Sequence, residues 1–259
     1  MRWSTCIAML FAWLAGASAK AEDANAIFEL YRMGNYEGAV AAGQAANTGE
    51  GLAIAARAAF AEANLSDSPC MPCLKRVEDL ARRSIMLGAN HPDAFVYLAA
   101  AIGYEARVIG YLSATVARYP EQAKQALERA LAVAPNDAWS LAAMGAWHIE
   151  IVRNGGTFLA RTVYGARADA GEEFFRRAFA ADPNNLVIRL QYVLAMSAYD
   201  LNRDREKIAQ ELTAATTLQP RTAYETVMKA RAARLLELLK ANRRADYLAL
   251  ISRYQGYPQ

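Results

Sequence analysis

The sequence predicts an all-α chain built from stacked helical hairpins, and three observations carry that expectation. Apolar residues recur at helical spacing and no alternating strand blocks interrupt them. Prolines at 92, 135, 183 and 220 each follow an amphipathic stretch, at separations of 43, 48 and 37 residues. Proline cannot continue a helix and pushes the residue before it out of the helical region, so each marks a boundary. The stretch from Glu121 to Trp147 shows the pattern most plainly. Small residues at Ala123, Ala126 and Ala130 lie along one helix, Pro135 stops it, and a second apolar run begins.

The N-terminus is set apart from this pattern. Residues 1–19 hold one base, Arg2, an apolar run from Ile7 to Ala15, and the ending Ala17-Ser18-Ala19. That order predicts a secretory signal peptide cleaved after Ala19, and hence a periplasmic or secreted protein. The remaining residues, 20–259, are expected to form one helical repeat domain. Losing Arg2 lowers the formal charge from +3 to +2, which gives no argument for nucleic acid. No apolar run in 20–259 reaches the roughly 20 residues of a membrane span.

The first hairpin is expected over 25–47. Ala26, Leu30 and Tyr31 line one helix, Gly34-Asn35 make the turn, and Tyr36, Ala39, Val40 and Gly43 line the second. The small residues allow close helix approach. An alanine-rich helix follows over 51–65, broken by Ser66-Asp67-Ser68-Pro69, and Cys70-Met71-Pro72-Cys73 opens the next, 74–87.

Two longer units then resemble each other. Gly103-Tyr104-Glu105-Ala106-Arg107 precedes Gly110, and His148-Ile149-Glu150-Ile151-Val152-Arg153 precedes Gly155-Gly156. The offset drifts from 45 (Glu105 to Glu150) to 48 (Pro135 to Pro183), as an internal duplication with short insertions requires. Helices 185–199 and 205–217, joined by a polar turn with Asp204 as N-cap, make a fifth unit. A last unit runs from Thr222 through Tyr254. Lys229, Arg231, Arg234, Lys240, Arg243 and Arg244 suit the polar outer face of a terminal repeat.

Residues 26–46 and 76–218 resemble tetratricopeptide repeats. The small, aromatic and proline positions fit at Gly34, Tyr36, Ala39 and Ala46; at Ala123, Leu127, Ala130 and Pro135; at Gly145, Phe175, Ala178 and Pro183; and at Leu212, Ala215 and Pro220. The resemblance implies an α-solenoid of about six antiparallel hairpins in a right-handed superhelix. Two units exceed the usual length of about 34 residues. Met144 to Asn184 is also similar to the repeat region of the regulator-of-microtubule-dynamics family, which implies a shared fold. A fainter likeness, on architecture and compartment alone, is to helical-repeat components of periplasmic transporters.

Two side-chain groups stand out chemically. Cys70 and Cys73 form an even pair in an expected oxidising compartment, which points to a disulfide. Free thiols, redox chemistry and metal binding are the alternatives. Redox enzymes of this pattern need a preceding strand, and none is visible. Trp147, Glu150, Arg153, Arg161 and Tyr164 form the second group, read either as a polar binding pocket or as an ion pair orienting the insertion. Glu105 and Arg107 at the matching place in the sister unit favour the ion pair. With two histidines and no nucleophile triad, phosphate loop or zinc-protease motif, the chain reads as a binding protein, not an enzyme, without cofactor or metal. A protein or peptide on a concave face is the expected partner. A small molecule held between the two long units, as in a transport component, is the alternative, and thiol-disulfide exchange a third.

Overall fold

The computed structural model describes residues 23–66, 69–88 and 91–258. The expected signal peptide, residues 67–68 of the break before Cys70, and Asn90 lie outside the described residues. Every regular element among those described is helical. Residues 23–32 form α1. Then come α2 (Tyr36–Ala46), α3 (Gly49–Leu65), α4 (Met71–Met86), α5 (Pro92–Ile109), α6 (Tyr111–Val116) and α7 (Tyr119–Val133). α8 (Ala138–Leu159) ends in a π turn, Ala160–Tyr164. α9 (Ala168–Ala181), α10 (Leu186–Thr217), α11 (Ala223–Lys240) and α12 (Arg244–Tyr254) complete the order. None of the described helices is long and apolar enough to cross a membrane.

Boundaries follow the local chemistry. Pro92 opens α5 at its first turn, where the missing N–H costs nothing. Pro135 and Pro183 fall in the turns after α7 and α9, and Pro220 follows α10. Side-chain oxygens cap the starts: Thr48 accepts from Gly51 N (3.1 Å), Asp137 from Ser140 N (2.7 Å), and Asn185 from Val187 N and Ile188 N. One expected boundary shifts. The break inside α10 is at Asp200 (φ −154°, ψ 86°), whose carboxylate accepts from Asn202 N and Arg203 N. Asp204, expected as the cap, instead pairs with Arg203. The Asp200 carboxylate, two and three residues before those amides, is the N-cap the second half uses.

Chain neighbours pack on one another, and the small residues set how closely. A Cβ built at Gly43 would lie 2.4 Å from the Gly51 carbonyl oxygen, so α2 and α3 touch backbone to backbone. Gly145 and Gly171 do the same for α8 and α9: a Cβ on either would sit 2.9 Å from the other's carbonyl oxygen. Beyond chain neighbours, α3 packs on α5, α5 on α8, and α8 on α10.

The two long units share a backbone path. Gly110 (φ 84°, ψ 156°) and Gly156 (φ 73°, ψ 160°) break α5 and α8 in a region that only glycine enters readily. A short helical segment follows each, ending at a left-handed residue, Arg118 (φ 58°) and Gly165 (φ 68°). The offsets, 46 and 47, fall between those at the ends of the sister units. Gly110→Ala or Gly156→Ala is expected to cost about 1–3 kcal/mol although nothing lies within 4 Å of either Cβ. Gly103→Ala, equally open but helical, should gain about 0.5–1 kcal/mol. Urea midpoints of the three variants separate strain from crowding. Equal midpoints would dismiss the strain.

Candidate functional site

Residues of α1, α3, α5, α6, α7, α8, α10 and α11, with Gln255 and Tyr257, line a partly open cavity of about 230 Å³. The wall is mostly apolar: Phe60, Val96, Leu127, Ile149, Ile151 and Leu194 are among its residues. Aromatic rings from α1, α5, α7, α8 and α11 also line it.

The enclosure depends on contacts between distant parts of the chain. Asn64, at the end of α3, donates to the Tyr104 hydroxyl (2.8 Å) and accepts from the Tyr224 hydroxyl (2.9 Å). Arg231 donates to both Asn64 oxygens, at 3.1 and 2.9 Å. One asparagine thus joins α3, α5 and α11. This corrects one expectation: Arg231 does not belong to a solvated outer face but ties the late helices to the early ones. Nothing in the sequence around Asn64 signals this, because its partners are 40, 160 and 167 residues away.

Two charged clusters sit on the cavity wall. At one, the Arg57 guanidinium pairs with Asp93 (2.8 Å) and donates to the Tyr97 hydroxyl (3.0 Å). It lies over the rings of Phe28, Tyr31, Tyr97 and Trp139 at 5.6–6.0 Å. Ring faces and a carboxylate together offset the cost of burying this cation.

The second cluster holds Glu150. Arg107 grips its carboxylate with two parallel hydrogen bonds, one of 2.8 Å. A third Arg107 N–H donates to the Gln255 carbonyl (2.8 Å). The Tyr257 hydroxyl donates to Glu150 (3.0 Å) and accepts from Arg153. Arg153 itself is 4.0 Å from the Glu150 carboxylate. Burial by itself would raise the Glu150 carboxyl pKa, but the Arg107 charge and hydrogen bonds, with Arg153 and Tyr257, hold it below the ordinary value. The expected Glu150–Arg153 pair is therefore the minor one, and Arg153 finds Tyr257 instead of a group in its own insertion.

The cavity opens beside this cluster. Gly110 and Asn154 are its exposed lining residues, and Arg153 and Tyr257 in the same wall are half-buried. Trp147, Glu150 and Arg153 of the expected group line the cavity. Arg161 and Tyr164 do not. Arg161 is exposed on the π turn, and Tyr164 is buried behind it with its carbonyl accepting from Lys124 (3.0 Å). The break at Gly156 turns the chain away from α8, so residues after it leave the face that Glu150 and Arg153 share. Trp147 is pinned by its indole N–H, which donates to the Pro120 carbonyl (2.9 Å).

The sister acid does another job. Glu105 is fully buried and faces α4, with Lys75 Nζ 2.6 Å away. Burial raises its pKa, and the neighbouring Glu78 carboxylate adds to that while Lys75 opposes it. Cys70 and Cys73 are joined by a disulfide at the start of α4, and Cys70 Sγ caps that helix by accepting from Cys73 N (3.2 Å).

His148 faces away from the cavity. Its ring stacks on Phe174 (5.5 Å) and its Nδ1 accepts from Arg167 N (3.2 Å). Burial, with Lys124 and Arg167 nearby, lowers its pKa from 6.5 to about 4. Between those pH values the unfolded chain binds a proton that the folded chain refuses. Stability should therefore be complete above pH 6.5 and fall toward pH 4, by about 3 kcal/mol in all. Urea titrations at pH 7 and pH 4 measure this. His148→Gln should lose less between the two than wild type does, and an equal loss would exclude His148 as the cause.

No protein-family model matches the chain, and no curated protein matches it either.

Proposed function

We propose that this chain is an exported, tetratricopeptide-like α-solenoid that binds a small, mostly apolar molecule inside the cavity. The single observation that carries the reading is the mostly apolar wall of this partly open cavity. A volume near 230 Å³ suits a molecule of about ten non-hydrogen atoms, by comparison with a 150 Å³ protein cavity that takes benzene. An extended peptide of several residues needs more. The solenoid reading rests on the helix order, with pairs packing in succession and first helices meeting across each pair, α3 on α5 on α8 on α10. Asn64, Tyr224 and Arg231 then join the ends of the stack and turn a groove into a cavity.

The expected binding is one molecule of a probe such as 1-octanol per chain, by calorimetry. Ala100→Phe places a ring in the cavity and should abolish that binding while leaving the circular-dichroism spectrum and Tm of a folded protein. No binding, or binding indifferent to Ala100→Phe, would sink the reading.

A protein or peptide partner fits the outside of the two insertions, as a second reading. Leu112, Val116, Phe158 and Val163 stand there 60–86% exposed. Leu112→Asp with Phe158→Asp should then abolish crosslinking to a partner in extract and leave 1-octanol binding unchanged. Export itself is tested by the N-terminal sequence of the protein recovered from the periplasm, which should begin at Lys20.

A further inference from the structure

We infer that the cavity's ligand is an amphiphilic monocarboxylate, with its apolar body among the aromatic walls and its carboxylate on Arg153 at the mouth. This rests on the small-molecule reading above and adds the ligand's charge and orientation.

The charges on the cavity wall do not cancel. Arg57 is matched by Asp93. Arg107 and Arg153 share one acid, Glu150, and Arg107 takes it with both arms of its fork. Among the described residues, Arg153 has a 4.0 Å approach to that carboxylate and, from the neutral phenol Tyr257, a hydrogen bond and a ring face at 5.0 Å. One guanidinium is therefore in surplus, and it stands at the opening beside the exposed Asn154.

The chemistry of that surplus selects the ligand. A guanidinium presents paired donors that match a carboxylate's two oxygens. One surplus cation answers one negative charge, and Arg107 is too committed to help hold a dianion. A cationic ligand would meet two guanidiniums and a carboxylate already occupied from three sides. Apolar walls deeper in give the rest of the molecule its place, and about ten non-hydrogen atoms fill the volume.

Binding would replace the Tyr257 hydroxyl as the acceptor on Arg153. The segment carrying Tyr257 is held by Arg107 at the Gln255 carbonyl and by Tyr104, against which Gly256 packs so closely that a Cβ would lie 2.6 Å from the ring. Those contacts do not involve Arg153, so the backbone stays in place while Arg153 exchanges the Tyr257 oxygen for the ligand, with the Tyr257 hydroxyl still donating to Glu150.

Calorimetry on the full chain at pH 7.5 tests this with four probes: octanoate, 1-octanol, octylammonium and acetate. Octanoate should bind at least tenfold more tightly than 1-octanol, and octylammonium should be the weakest of the eight-carbon probes. Arg153→Gln should bring octanoate down to the level of 1-octanol and leave 1-octanol unchanged. Arg153→Lys should retain part of the preference. Tyr257→Phe, which removes the competing hydroxyl, should strengthen octanoate a few-fold.

Octanoate no tighter than 1-octanol in the wild type overturns the inference and leaves the cavity reading standing. So does an octanoate preference that survives Arg153→Gln. Acetate binding as tightly as octanoate also overturns it, because the anion site would then work without the cavity. If no eight-carbon probe binds, the small-molecule reading falls and takes the inference with it.

Discussion

Glu150→Ala is expected to lower the unfolding free energy by about 3–5 kcal/mol, because it leaves the Arg107 guanidinium buried without its counter-charge. Only 12% of the Arg107 side chain is exposed, so water cannot replace the lost carboxylate. The Gln255 carbonyl stays as a partner, but it neutralises no charge. Tyr257 loses its hydrogen bond to Glu150 in the same step. Replacing both members, Arg107→Met with Glu150→Leu, should recover most of the loss, since an apolar pair carries no desolvation cost. Arg161→Ala, on the exposed π turn, should change stability by no more than about 0.5 kcal/mol. Urea unfolding followed at 222 nm compares the four proteins. A Glu150→Ala variant within 1 kcal/mol (roughly) of wild type would show that the pair is dispensable.

Phe175→Ala should cost as much, about 3–5 kcal/mol, for a different reason. The ring is fully buried where α8, α9 and α10 meet. It packs edge-on to Tyr192 with centroids 5.2 Å apart, and on Phe179 at 6.4 Å. On its other side α8 has glycine: a Cβ at Gly145 would sit 2.8 Å from the Phe175 ring. The close approach of α8 and α9 and the size of this ring are therefore one fit. Removing the ring leaves a void that the glycine contact prevents the helices from closing. Phe175→Leu should cost less than Phe175→Ala, and equal midpoints for the two would argue that the site collapses freely.

Much of the helix order was legible because its causes are local. Pro92, Pro135, Pro183 and Pro220 mark ends that a backbone without an N–H must mark. Gly43, Gly145 and Gly171 are small where helices touch. The sister units were visible as repeated Glu, Arg and Gly positions, and Gly110 and Gly156 adopt matching backbone angles. The Asp200 break was misplaced by a few residues, since Asp200 and Asp204 are equally good caps on paper.

The site was only half legible. Trp147, Glu150 and Arg153 stood out as a dense patch on one predicted helix, and they do line the cavity. Glu105 and Arg107 matched Glu150 and Arg153 in sequence, yet the structure gives them opposite directions: Glu105 to Lys75 in α4, Arg107 across to Glu150 in α8. Asn64, Tyr257 and Gln255 carried no signal at all.

The sequence by itself determined most of the helices, the ends that proline marks, the small residues at their crossings and the paired cysteines, because each rests on side chains within a few positions of one another. Tertiary structure alone decided that the helices enclose a cavity and that Arg107 takes Glu150 from Arg153. Those outcomes depend on where residues 43, 107 and 160 positions apart arrive in space. That position is the sum of every intervening packing angle, and no local pattern encodes the sum.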